Sequence, residues 1–152
     1  MYQKTKRRNT NMIYEQPKPQ EQQSLNPKDY QVRIIVAGTR NWFDKRTFHE
    51  TLLKYLKRFD VPILFISGAA PTGADRMIID WCKKYKYPCL ECPADWDNLG
   101  KSAGFVRNVD MSEIGTHLLC YWNLISTGTK HMREISSDKN LTITTIAIRI
   151  ET

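Results

Sequence analysis

From residue 32 onward, short apolar runs rich in β-branched residues alternate with longer stretches in which apolar residues recur every three or four positions. Side chains alternate faces with period 2 in a strand and 3.6 in a helix, so the first kind of run reads as buried strand and the second as amphipathic helix. Residues 32–37 (VRIIVA) predict a strand ending at Gly38, and residues 45–58 a helix with Phe48, Leu52, Leu53 and Leu56 on one face. A second strand is expected over 62–66. The loop SGAAPTG then leads into a helix over 74–85, which carries Met77, Ile78, Trp81 and Cys82 on one side. Residues 88–92 predict a short third strand, 103–113 a third helix, His117–Trp122 a fourth strand, 129–140 a fourth helix and 142–148 the last strand.

Strands that alternate with helices imply parallel pairing, because a parallel neighbour is reached only by a crossover connection. The expected fold is α/β, a Rossmann-like three-layer sandwich of about five parallel strands flanked by helices. Ligands of such sheets bind outside the carboxyl ends of the strands, where the strand order reverses. The loops that follow the strands are therefore where chemistry is sought.

Residues 1–28 break the pattern. They are rich in Gln, Pro, Asn and Lys with few large apolar side chains, and predict a flexible polar arm ahead of a single domain over 29–152. The arm and its junction hold six basic residues (Lys4, Lys6, Arg7, Arg8, Lys18, Lys28) against Glu15, Glu21 and Asp29, which is +3 of the net charge of +7 and leaves the folded part mildly basic at +4. The longest uncharged stretch, residues 61–74, is shorter than the roughly 20 residues of a bilayer span and is broken by Pro62, Gly68, Pro71 and Gly73. No apolar run of signal-peptide length follows the N-terminal basic cluster, and four cysteines are too few for a disulfide framework, so a cytoplasmic location is expected.

Each loop after a strand carries an unusual set of residues. Gly38, Thr39 and Arg40 follow the first strand, where a glycine permits close approach and a hydroxyl beside a guanidinium suits a phosphate or carboxylate. Gly68 and Gly73 bracket the second loop and Asp75 falls in the first turn of the next helix, suiting either the helix dipole or ribose hydroxyls. This loop is neither a P-loop nor a GxGxxG dinucleotide motif. Asp95 and Trp96 follow the third strand, Trp96 suiting base stacking or a lid over the core, with Arg107 and Asn108 on one turn of the next helix. After the fourth strand, Ser126, Thr127, Gly128 and Thr129 offer hydroxyls and backbone donors at a helix start.

Cys89 and Cys92 form a CxxC, but on an extended strand residues three apart face opposite ways, about 10 Å apart. That spacing predicts buried structural thiols in place of a zinc or redox pair. No metal site and no cofactor is expected. His49, His117 and His131 read as surface or satisfied polar residues.

Taken together, IIVAGTRNW, SGAAPTGADRMIIDWCKKY, ECPADWDNLGKSAGFVRN and TGTKHM resemble the YspA-like branch of the SLOG superfamily, Rossmann-like domains of bacteria and phages related to the LOG and DprA proteins. The resemblance implies a pocket for a nucleotide or nucleotide-derived signal built from Gly38, Thr39, Arg40, Gly68, Gly73, Asp75, Asp95, Trp96, Arg107, Asn108, Gly128 and Thr129. The enzymatic LOG relatives carry a glutamate in their phosphate loop PGGxGTxxE, and Met132 stands at that position here. Methionine is neither acid nor base. The resemblance therefore favours a sensor or sequestering protein, with a nucleotide N-glycosidase or phosphoribohydrolase, or DprA-like nucleic-acid binding assisted by the basic arm, as alternatives. A nucleotide-derived small molecule is the expected partner, with weak nucleic-acid contact through the arm, no membrane partner, and a homo-oligomer as the ordinary form of any assembly.

Overall fold

The computed structural model describes residues 25–150, together with two two-residue strands, Lys4–Thr5 and Ile13–Tyr14, that pair antiparallel. The arm expected over residues 1–28 lies almost wholly outside the described residues. At its junction, the Asn26 side chain accepts from Lys28 N and caps a 3-10 turn over Pro27–Asp29.

One sheet follows, and its strands are β1 (Val32–Gly38), β2 (Ile63–Ser67), β3 (Cys89–Glu91), β4 (His117–Trp122) and β5 (Thr142–Ala147). All pair in parallel, in the order β3-β2-β1-β4-β5. The α-helices α1 (Lys45–Leu56), α2 (Gly73–Tyr85), α4 (Ala103–Ile114) and α5 (Thr127–Asp138) connect the strands. Between β3 and α4 the chain adds a four-residue helix, α3 (Trp96–Leu99), and a 3-10 turn over Gly100–Ser102. This is an α/β, Rossmann-like three-layer sandwich.

The period of two explains how both faces of the sheet are covered. Val32, Ile34 and Val36 of β1 join one apolar cluster with Phe48, Leu52 and Tyr55 of α1 and Met77, Ile78 and Trp81 of α2. Ile35 and Ala37 join the other, with Met111 of α4 and Met132 of α5. Leu119 and Tyr121 of β4 face the first cluster, and Leu118 and Cys120 the second. Ile34, Ile35, Leu64, Phe65, Ile66, Leu118 and Leu119 are fully buried, as strands of a sheet covered on both sides must be. The same alternation separates the CxxC: Cys89 packs on the first cluster and Cys92 on the second. Both thiols are half-buried, whereas Cys82 and Cys120 are buried.

Element ends differ from the sequence pattern by one or two residues, and the short α3 is absent from that pattern. Four residues give no periodicity; what starts α3 is the Asp95 carboxylate, which accepts from Asn98 N at 3.2 Å. Helix α5 begins at Thr127, two residues earlier than its apolar spacing shows. No described helix is long and apolar enough to cross a membrane.

The strand order reverses between β1 and β4. Sequence neighbours β1 and β2 lie side by side, while β4 pairs with the other edge of β1. Past the ends of these strands their loops are tied together: Thr39 N donates to Tyr121 O at 2.9 Å, and Asn123 N donates to the Thr39 hydroxyl at 3.1 Å.

Candidate functional site

A cleft of ≈ 500 Å³ opens at this reversal. Its walls come from the loop after β1 (Gly38, Thr39, Arg40, Asn41), from Asp75 of α2, from Trp96 and Lys101, from the cleft-facing residues of α4 (Gly104, Phe105, Arg107, Asn108), and from Asn123 and Ile125 to Thr129 at the start of α5. Met111 and Met132 supply apolar lining.

A hydrogen-bonded chain crosses the cleft. Arg107 Nη1 donates to the Gly68 carbonyl oxygen beyond β2, and Arg107 Nε donates to Asn108 Oδ1 at 3.1 Å. Asn108 Nδ2 reaches the Gly128 carbonyl oxygen at 3.3 Å and His131 Nδ1 at 3.1 Å. A guanidinium only donates and a carbonyl only accepts, so the amide orientation is fixed from both sides. Burial holds the His131 imidazole below its usual pKa, which keeps Nδ1 available as the acceptor. Asn108, 6% exposed, thus joins the β2 loop to the first turn of α5.

Three cations, Arg40, Lys101 and Arg107, face a single lining carboxylate, Asp75. Asp75 is buried, and burial raises its pKa; the N–H of Ala70, which donates to Oδ2 at 3.2 Å, and the charges of Arg107 and Arg40 act the other way. Burial likewise lowers the pKa of Arg107, while Asp75 raises it. Neither forms a salt bridge within 4 Å; among the described residues such pairs are the i,i+4 pairs Arg46–Glu50, Arg76–Asp80 and Lys130–Glu134 on helix surfaces. The cleft is therefore cationic on balance.

Helix ends add to this. Asp44 caps α1 and Asp95 caps α3, but no side chain caps α2, α4 or α5, whose first turns all contribute to the cleft. The approach to α5 is nevertheless fixed: Asn123 Oδ1 accepts from Ile125 N at 3.0 Å and Ser126 N at 2.8 Å, and Trp122 Nε1 donates to Ser126 O at 3.0 Å. A helix N-terminus carries partial positive charge and unsatisfied N–H donors, so this geometry accepts an anion. Two non-glycine residues hold left-handed backbone in these loops, Ala69 at φ 57° and Leu124 at φ 69°. Ala69 N donates to the Ser67 hydroxyl at 3.1 Å, which in turn donates to Asp75 O at 2.8 Å.

Gly38, Thr39, Arg40, Asp75, Trp96, Arg107, Asn108, Gly128 and Thr129, singled out from the sequence, all line this cleft. Gly68, Gly73 and Asp95 do not. At Gly68 a Cβ would lie 2.6 Å from Arg107 Nη1 and 2.8 Å from Asp75 Oδ2, so this glycine makes room for the two charged groups behind the wall. Gly73 has φ +73°, and a Cβ there would meet Thr39 O at 2.5 Å. Asp95 is turned to its capping partner Asn98. Residues the sequence did not single out as ligand contacts include Lys101, between β3 and α4, Phe105, in the helix read over 103–113, and Ile125, an exposed apolar residue ahead of α5 whose place in the lining only the structure shows. Among the described residues, no three His, Cys, Asp or Glu side chains are grouped to hold a metal ion.

Fold and cleft together define an α/β structure with a cationic cleft at the switch point of a doubly wound sheet. The chain belongs to the YspA, cpYpsA-related SLOG family, whose model matches residues 32–98. It is similar to the Gene 61 protein of Mycobacterium phage D29, with 31% identity over 109 residues that cover 67% of this chain and 86% of the phage protein. No solved structure matches the chain significantly. Membership of this family points to nucleotide-related binding.

Proposed function

We propose that the cleft binds a nucleotide or nucleotide-derived signalling molecule and holds it without turnover, as a sensor or sequestering protein. The observation that carries this reading is the N-terminus of α5, uncapped by any side chain and opening onto the same cleft as Arg40, Lys101 and Arg107. A phosphate seated there meets backbone donors and positive charge together. Asp75, on the opposite side of β1, suits a ribose hydroxyl.

Retention without cleavage is supported by Met132. Its side chain is 1% exposed and lies in the lining, where the resemblance to the enzymatic relatives calls for a glutamate. Loss of a general acid or base lowers a rate by roughly 10² to 10⁴ while ground-state contacts persist. One observation favours the glycosidase alternative: burial raises the pKa of the Asp75 carboxyl against the opposing pull of Arg107 and Arg40, and a carboxyl that keeps its proton can serve as a donor.

Incubating the protein with a panel of nucleotides, then denaturing it and analysing the released molecules, separates the two. A nucleotide recovered intact is expected. Steady release of free base or ribose phosphate, abolished by Asp75→Asn, establishes the hydrolase instead.

A further inference from the structure

Arg40 and Trp96 stand apart from the rest of the cleft. No hydrogen bond or ion pair among the described residues holds the Arg40 guanidinium, and its Cζ lies over the Trp96 ring at 5.8 Å from the centroid. Trp96 is 49% exposed, whereas Trp42 and Trp81 are buried and Trp122 is engaged with Ser126 and Arg133. Trp96 is thus the tryptophan that the cleft can use. Its ring lies over the first turn of α4, at ordinary van der Waals distance from residue 104: a Cβ there would be 3.4 Å from Trp96 Cη2.

We propose that Arg40 and Trp96 form a slot for the planar base of the ligand, separate from the anion seat at the N-terminus of α5. The inference rests on the nucleotide reading above and gives Arg40 a different role from that of Arg107. Two van der Waals layers need about 7 Å, so a ring enters after a widening of about 1 Å. Arg40 is exposed and unpaired, and such side chains reorient freely. Stacked between an indole and a guanidinium, a base gains contact on one face and cation–π attraction on the other. Arg107 is held differently, with Nε and Nη1 committed to Asn108 and Gly68. It serves as the fixed charge of the cleft, while Arg40 serves as the movable cover.

The test is calorimetric titration of the full chain with AMP, GMP, CMP, UMP and ribose 5-phosphate, using wild type, W96A, W96F and R40A. In wild type at least one nucleotide binds about tenfold or more tightly than ribose 5-phosphate and quenches tryptophan fluorescence, while ribose 5-phosphate quenches none. W96A removes that advantage, W96F keeps most of it, and R40A weakens nucleotide binding by a larger factor than ribose 5-phosphate binding. Because quenching is read in wild type, the proposal stays testable even if W96A does not fold. An advantage retained by W96A, or an R40A loss equal for nucleotides and ribose 5-phosphate, overturns the slot and leaves the nucleotide reading standing. Absence of binding by all five compounds overturns both.

Discussion

Gly68 and Arg107 are in contact through the absence of a side chain: a Cβ on residue 68 would fall 2.6 Å from Nη1 and 2.8 Å from Cζ of the guanidinium. The same atom would lie 2.8 Å from Asp75 Oδ2, so the glycine is the space in which a cation and a buried carboxylate meet backbone. Gly68→Ala is expected to push Arg107 off the Gly68 carbonyl and to cost about 1–3 kcal/mol as an overpacked site. Denaturant unfolding reads the stability loss. Nucleotide titration reads a parallel fall in affinity, and a variant with wild-type stability and binding would show that the pocket yields at no cost.

Asn108→Asp tests the chain across the cleft. The carboxylate has no hydrogen to give to the Gly128 carbonyl oxygen, 3.3 Å away, or to His131 Nδ1, 3.1 Å away. A buried acceptor facing another acceptor costs about 1–3 kcal/mol. Protonating His131 restores one donor, so the deficit relative to wild type is expected to shrink as pH falls through the histidine range. Melting curves of both proteins at several pH values check this.

Asp75 carries a pH dependence whose sign follows from its burial. Its folded pKa is raised above the ordinary 3.8, so the folded chain binds this proton more tightly than the unfolded chain does. The stabilisation is complete below the unfolded pKa and is lost as pH rises from there through the folded value. Asp75→Asn cannot ionise. Relative to that variant, wild type is expected to lose stability as pH rises from about 4, which urea unfolding across the range measures.

Two glycines of the same site respond in opposite ways. A Cβ on Gly128 meets no atom within 4 Å, and the residue is in the first turn of α5, so Gly128→Ala leaves stability equal or raises it by up to about 1 kcal/mol. A simultaneous loss of nucleotide affinity assigns that open space to the ligand. Gly73→Ala forces a side chain into left-handed backbone and toward Thr39 O at 2.5 Å, and is expected to destabilise by more than about 1 kcal/mol. Thermal melts and titrations of both variants check the contrast.

The alternation of periods 2 and 3.6 was enough to read five strands and four helices in order, because burial on both faces of the sheet leaves a strong apolar signature in runs such as Ile34 to Val36 and Phe65 to Ile66. Helix α3 escaped because its cause is one carboxylate, Asp95, and not a pattern. Within the site, the sequence shows which loops carry unusual residues but not which side chains turn inward. Asp95 and Asp75 look alike on that ground; one caps a helix in solvent, and the other is buried in the wall. Gly68 and Gly73 were legible as special, yet their purpose is to let Arg107 and the β1 loop approach, a fact about partners more than 30 positions away that no local window contains.

The left-handed Ala69 and Leu124 have a kinetic consequence. An L-residue in that region lies about 1–2 kcal/mol above its relaxed conformation, and the strain persists only because neighbouring hydrogen bonds over-determine the loop. Ser67 does this for Ala69, and Asn123 for the turn at Leu124. The Asn123–Ser126 wall of the cleft, and the loop at Gly68 and Ala69 that backs Arg107, are therefore set during folding, before any ligand arrives. Among the described residues an encounter finds these loops already shaped and has Arg40 to displace, so the association rate should scale linearly with ligand concentration in stopped-flow measurements, with no plateau from a slow loop rearrangement.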